Sequence, residues 1–193
     1  MKELHGLKLG VALCGSFCTF SKAIIMIENL VNMGVEVYPI MSFNAYEITT
    51  RFGKREDFIK QVEDLSGKEI IHTIVGAEPI GPKHIVDAML VAPCTGNTLT
   101  KIANSITDTP VTLATKSVLR NNTPVIIAIS TNDGLGMNLK NIGQLIYNQN
   151  IFFVPFGQDN PINKPCSLIS NLDLVPETIK YALEYKQVQP ILL

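Results

Sequence analysis

Small hydroxyl, amide and glycine residues directly follow four apolar segments of the chain, and residues of these types suit the binding of a polar ligand. The apolar segments are short and rich in β-branched residues, which is typical of strands in a buried parallel sheet. Because the carboxyl ends of parallel strands meet at one edge of a sheet, we expect the residues that follow them to lie together. They are Gly15, Ser16 and Phe17 after the first segment, Ser42 and Phe43 after the second, residues 93–98 after the third, and Ser130, Thr131 and Asn132 after the fourth.

The first of these loops, Gly15-Ser16-Phe17, precedes a predicted helix. Free backbone N–H groups and the helix dipole favour a phosphate at such a position, although an ordinary turn is an equally good interpretation of this loop alone. The sequence contains neither a G-x-G-x-x-G dinucleotide loop with a following acidic residue nor a nucleoside triphosphate loop. A mononucleotide with one phosphate fits this pattern better than a dinucleotide.

The elements that must position these loops alternate along the chain. Hydrophobic periodicity predicts strands at 7–14, 35–41, 88–92, 125–129 and 151–155, and helices at 20–33, 56–65, 98–103, 111–120, 139–147 and 176–185. This order predicts one α/β domain over residues 1–193, with a Rossmann-like parallel sheet and helices on both faces. The segment 156–165 has no regular pattern, so we expect a flexible flap at about 156–170.

Composition excludes several classes of protein. The chain has 193 residues, 46% of them hydrophobic and 17% charged, and a net charge of −1, which argues against disorder and against duplex nucleic acid or anionic membrane as a partner. No apolar run is long enough to span a bilayer, and residues 1–8 lack the apolar stretch of a signal peptide. We therefore expect a cytoplasmic protein with four reduced thiols (Cys14, Cys18, Cys94, Cys166) and no metal site.

Two motifs resemble those of the flavin-containing cysteine decarboxylase superfamily. Residues 93–98, PCTGNT, resemble its PASANT motif, and Gly136-Met137-Asn138 resembles the Met-Asn core of its PxMNxxMW motif, without the proline and the tryptophan. The resemblance implies a Rossmann-like flavoprotein fold that binds FMN. It also implies a homo-trimer, or a multiple of it such as a dodecamer, with the flavin between subunits.

Four longer stretches resemble one branch of that superfamily. TRFG, AEPIGPK, STNDGLGMN and FFVPFGQDNP are similar to flavoprotein subunits of a two-component synthase in spore-forming bacteria. This implies an FMN-dependent oxidoreductase subunit in the mother cell of a sporulating bacterium. It would act with a second, NAD(P)-binding subunit to convert a dihydro or tetrahydro precursor into pyridine-2,6-dicarboxylate. A non-catalytic FMN-binding or scaffold subunit is the alternative, and a cysteine-type decarboxylase is a further one.

The resemblance assigns site residues, each with a simpler interpretation beside it. For FMN they are Gly15, Ser16, Phe17, Ser42, Cys94, Thr95, Gly96, Asn97, Thr98 and Ser130; for the substrate they are Met137 and Asn138. Arg51 is added as a substrate residue because the implied dicarboxylate needs a fixed cation and arginine binds carboxylate bidentately, and Arg51 and Asn138 are the catalytic candidates. The simpler interpretation of Thr95, Thr98 and Asn138 is that each serves as the N-cap of a helix. The simpler interpretation of Cys94 is a small thiol that packs in the core, and that of Arg51 is a solvated arginine on the surface.

The decarboxylases carry a histidine 14 positions before the proline of PASANT, and Pro79 stands at that position here. Proline has no titratable group, and His84 and His72 lie 5 residues after and 7 residues before that position. We therefore predict that the protein is not a decarboxylase, and that the proline-rich segment 77–82 forms a pocket wall beside the flavin instead.

Overall fold

A mostly parallel sheet forms the centre of the computed structural model, which describes residues 3–193; Met1 and Lys2 of the predicted domain lie outside the described residues. The parallel strands are β1 (Lys8–Leu13), β2 (Glu36–Met41), β3 (Ala88–Cys94), β4 (Val125–Thr131) and β5 (Ile151–Phe153). In this part of the chain β2, β1, β3 and β4 are neighbours in that order, and β5 pairs with the first half of β4. The strand order changes direction between β1 and β3, which is where parallel sheets bind ligands.

Helices cover both faces of this sheet, as predicted. They are α1 (Phe20–Asn32), α2 (Phe43–Glu47), α3 (Arg55–Ser66), α4 (Ile74–Ala77), α5 (Gly96–Ala103), α6 (Pro110–Leu119), α7 (Leu139–Ile146) and α8 (Val175–Ala182). Alternate strand residues bury into two separate cores: Leu13 packs into the core with α1, α3 and α8, whereas Ala12 packs into the core with α5, α6 and α7. The middle strand β3 is buried at all seven residues, which explains its continuous apolar sequence.

The segment that we expected to be a structureless flap is a β-hairpin. Strands β6 (Phe156–Asn160) and β7 (Lys164–Ser170) pair antiparallel, and β7 extends the sheet by pairing with the end of β4 at Ser130↔Ile169 and Thr131↔Leu168. The expectation of an irregular segment was wrong because most of the hairpin residues before Ser167 are exposed, so no apolar alternation marks the two strands. The flexibility of residues 156–170 stays a prediction. Across residues 3–193, no helix has the length and apolar character that crossing a bilayer requires.

Candidate functional site

Two adjoining cavities lie at the carboxyl ends of the strands, where the four loops meet as predicted. The main cavity has a volume of about 1020 Å³ and the side cavity about 380 Å³, and Gly15, Thr95 and Asn97 line both. Ser16, Phe17, Gly96 and Ser130 line the main cavity, whereas Ser42 and Thr98 line the side cavity. Of the predicted FMN residues only Cys94 lines neither of these two cavities.

The side cavity lies at the amino ends of α5 and α6. Thr95 caps α5 by accepting a hydrogen bond from the Thr98 N–H at 3.3 Å, and Thr109 caps α6 in the same way. The N-cap interpretation of Thr95 is therefore correct, whereas Thr98 lies in the first turn of α5. Helix amino ends and neutral hydroxyl donors make this cavity suitable for a phosphate group.

Three hydroxyl groups join the end of β1 to the end of β4 at the main cavity. Ser16 Oγ lies 2.8 Å from Ser130 Oγ, and Thr19 Oγ1 lies 3.2 Å from Ser16 Oγ and 3.1 Å from Ser130 Oγ. This cluster fixes the position of the first loop relative to β4. Sequence reasoning missed Thr19, because it follows the loop inside an otherwise apolar segment.

A second polar cluster surrounds Asp133 at the edge of the main cavity. Thr131 Oγ1 donates to Asp133 Oδ1 at 2.6 Å, and Asn138 Nδ2 donates to Oδ1 at 2.8 Å and to Oδ2 at 2.9 Å. The hydrogen bonds from Thr131 and then from Asn138 hold the pKa of Asp133 below its usual value, so the carboxylate is ionised at neutral pH. Asp133 is the main site residue that sequence reasoning did not single out, although it stands two residues after β4.

Asn138 is buried, with only 4% of its surface exposed, and its side chain is fully engaged. Its Oδ1 accepts hydrogen bonds from Thr100 Oγ1 at 3.0 Å and from Asn141 Nδ2 at 2.9 Å, while its Nδ2 binds Asp133. The side chain makes no N-cap hydrogen bond to α7. A substrate carboxylate would have to compete with Asp133 for this amide, and the substrate role of Asn138 stays a prediction.

Gly96 allows α5 to approach the Asp133 cluster. A Cβ atom at this position would lie 2.5 Å from Thr131 Oγ1, 2.7 Å from Asn138 Nδ2 and 2.8 Å from Asp133 Oδ1. These distances are all shorter than real contacts to carbon. The glycine of PCTGNT is therefore required for packing against the loop after β4.

The two cysteines at the strand ends are deeply buried. Burial raises the pKa of the Cys14 thiol to about 11, and burial and then the neighbouring Cys14 raise the pKa of Cys94 well above its usual value. Both thiols are free and protonated at neutral pH. This environment favours the packing interpretation of Cys94, and a direct FMN contact by Cys94 stays a prediction.

Cationic side chains line the outer part of the main cavity. Arg51 and Lys22 form no ion pair with another described residue, whereas Lys164 of the hairpin lies 2.8 Å from the Asp159 carboxylate. The Arg51 guanidinium lies 4.9 Å from the centre of the Phe52 ring. Met137 is 72% exposed and does not line the cavity, so the structure does not bring this predicted substrate residue into the site.

The proline-rich segment 77–82 does not form a wall of either cavity, so that prediction was wrong for the single chain. It packs against α6 instead, where Gly81 touches Ser117 and its carbonyl accepts a hydrogen bond from Asn121 Nδ2 at 2.6 Å. His72 stacks on Tyr46 with ring centres 3.8 Å apart and does not reach the cavities.

Comparison with known proteins points to flavin-binding proteins. A family model described as Flavoprotein matches residues 1–172. The B subunit of dipicolinate synthase from Bacillus subtilis (strain 168) is 49% identical over 193 residues, which cover 100% of this chain and 96% of that protein. The crystal structure of the dipicolinate synthase B subunit from Bacillus halodurans is 42% identical with a TM-score of 0.91, covering 100% of this chain and 98% of that one. The FMN-dependent cysteine decarboxylase SpaF shares the fold, with a TM-score of 0.69 at 19% identity over 93% of this chain and 98% of its own.

Proposed function

The chain belongs to the Flavoprotein family, and from that premise we propose that it binds FMN and serves as the B subunit of a dipicolinate synthase. The observation that supports this most strongly is the 49% identity to the Bacillus subtilis protein, which extends over the whole chain. The name of that relative marks it as one component of a larger enzyme, so the proposal includes an A subunit of the NAD(P)-binding type as partner. A homo-trimer, or a multiple of it, in the cytoplasm of the mother cell belongs to the same proposal.

The donor groups of the two cavities fit FMN. The side cavity offers helix amino ends and the hydroxyls of Ser42 and Thr98, which suit a phosphate, and the larger main cavity offers space for a flat ring. Asn97 lines both cavities and would bind the ribityl chain between them. When bound, FMN would supply an acceptor for two electrons, while the protein would supply position and electrostatics.

Arg51 would bind one carboxylate of a dicarboxylate substrate. Arg51 lines the main cavity and forms no ion pair with an acidic side chain among the described residues, so its fork of N–H donors is available for a carboxylate. The reaction that fits is the oxidation of a dihydropyridine dicarboxylate, or of its tetrahydro precursor, to pyridine-2,6-dicarboxylate.

Reconstitution with the A subunit tests this proposal. We expect pyridine-2,6-dicarboxylate to form with both proteins and FMN, and formation to fall when FMN is removed and to recover when it is restored. If the rate with both proteins is the same without FMN, the non-catalytic scaffold function replaces the catalytic one. If the chain neither binds FMN nor affects product formation by the A subunit, the whole proposal fails.

A further inference from the structure

Asp133 is a fixed carboxylate that faces a cavity otherwise rich in cations and hydroxyls. Its Oδ1 accepts two hydrogen bonds, from Thr131 and Asn138, whereas its Oδ2 accepts one, from Asn138. Asn138 is in turn held by Thr100 and Asn141. Because each carboxylate oxygen can accept about two hydrogen bonds, Oδ2 keeps a free acceptor position.

No cationic side chain among residues 3–193 is paired with this charge. The donors to Asp133 are a hydroxyl and an amide, and no cation of residues 3–193 forms an ion pair with it. The other titratable or charged groups that line the main cavity are Cys18, Lys22, Arg51, Asp159 and Lys164. Asp159 is already paired with Lys164, which leaves Asp133 as the unpaired carboxylate of the cavity.

We propose that Asp133 is the base that accepts the ring N–H proton when a 1,2- or 1,4-dihydropyridine dicarboxylate, the isomers that carry a ring N–H, is oxidised in the main cavity. This inference rests on the proposed function. In the step, one ring C–H bond breaks and its hydrogen leaves with two electrons to the oxidised flavin. The ring N–H bond also breaks, its proton passes to Asp133 Oδ2, and its electron pair stays on nitrogen to give the pyridine.

The low pKa of Asp133 suits this task. Loss of the hydride leaves a positively charged aromatic ring whose N–H is acidic, so a weak base that is ionised before the substrate binds is a sufficient acceptor. Arg51 and Lys22 would bind the two substrate carboxylates, which keeps these negative groups away from Asp133.

The proposal predicts how the product binds. In pyridine-2,6-dicarboxylate the ring nitrogen carries a lone pair, which an ionised Asp133 would repel. A proton held between that nitrogen and Asp133 would remove the repulsion. The product should therefore take up a proton when it binds, and its affinity should rise as the pH falls, by at most about tenfold for each unit, as one coupled proton requires.

Calorimetric titration of the FMN-loaded protein with pyridine-2,6-dicarboxylate tests this directly. Titrations between about pH 6 and pH 8, in two buffers of different ionisation enthalpy, give the affinity and the number of protons taken up. Divalent cations must be removed because the diacid chelates them. In Asp133→Asn the amide oxygen still accepts from Thr131 and Asn138, the second hydrogen bond from Asn138 is lost, and the new amide N–H can donate to the ring nitrogen. This variant should bind the product more tightly than the parent at pH 8, with no proton uptake.

Asp159→Asn is the matched control, because Asp159 is the other carboxylate of the cavity and is paired with Lys164. The Asp159→Asn protein should take up as many protons on binding the product as the parent does. If Asp133→Asn matches the parent in affinity and proton uptake, or if the parent binds the product without a proton, Asp133 is not the base and the proposed function is unaffected. If the FMN-loaded parent does not bind the product at all, the substrate class fails and the inference fails with it.

Discussion

Replacing Gly96 by alanine tests the contact between PCTGNT and the loop after β4. The new methyl group would lie 2.5 Å from Thr131 Oγ1 and 2.7 Å from Asn138 Nδ2. A free side chain could move away at little cost, but Asn138 is buried and held at both ends of its amide. Overpacking of this kind destabilises a protein by about 1–3 kcal/mol.

Gly143→Ala provides the matched control. Gly143 lies in the exposed middle of α7, and a Cβ placed there has no atom within 4 Å other than those of its chain neighbours and of the backbone of its own helix. The same substitution should therefore stabilise the protein by about 0.5–1 kcal/mol, because alanine is the better helix former.

Thermal unfolding followed by circular dichroism measures both effects, at one protein concentration and with FMN in excess. In a protein of this size 1 kcal/mol corresponds to about 2–4 °C in Tm, so Gly96→Ala should lower Tm by about 2–12 °C and Gly143→Ala should raise it by about 1–4 °C. If the Gly96→Ala protein is as stable as the parent, the Asp133 cluster can rearrange around the new methyl group at little cost. The Asp133 carboxylate is then not held in a fixed position.

Four further predictions follow from the site. Arg51→Ala should raise KM for the precursor by about 10–150-fold, the equivalent of 1.5–3 kcal/mol, and leave FMN affinity unchanged, while Arg55→Ala should alter neither; equal KM values for Arg51→Ala and the parent would exclude the carboxylate contact. Light scattering with FMN should give a trimer or a multiple of it, and a monomer at micromolar concentration would contradict this. Peptides with a C-terminal cysteine, and phosphopantothenoylcysteine, should release no carbon dioxide; release that is lost when His72 or His84 is replaced would overturn the prediction. A thiol reagent should label the exposed Cys18 and Cys166 in the native protein within minutes, as mass spectrometry would show, whereas rapid labelling of the two buried thiols would contradict their protonated state.

The polar edge of the sheet was predictable from sequence because it depends on local signals. Each apolar segment specifies a buried strand, and the residue types after it, such as Ser42 and Ser130, specify a polar loop. Parallel pairing then brings the loops together, whatever the exact register. The predicted helices were confirmed to within a few residues at most boundaries for the same reason, since their apolar periodicity extends over two or more turns.

The rest depends on contacts between distant parts of the chain. The hairpin after Val154 is specified by its pairing with the end of β4, and its exposed residues leave no periodic signal. The hydrogen-bonded cluster around Asp133 forms only when α5 places Thr100 and Gly96 against the residues that follow β4. A capping preference pointed to Asn138 as an N-cap, but tertiary hydrogen bonds to Asp133 take its side chain instead.

Titration of FMN with the purified chain tests the central claim most directly. We expect flavin fluorescence to be quenched to a stoichiometry of one FMN per chain, with FAD binding more weakly. Asn97→Trp, which would fill the space shared by the two cavities, should weaken FMN binding without loss of fold, while Asn148→Trp, at a position that lines neither cavity, should not. A chain that stays colourless and leaves FMN fluorescence unchanged, or an Asn97→Trp protein that binds FMN as the parent does, would contradict the placement of the flavin at this edge of the sheet.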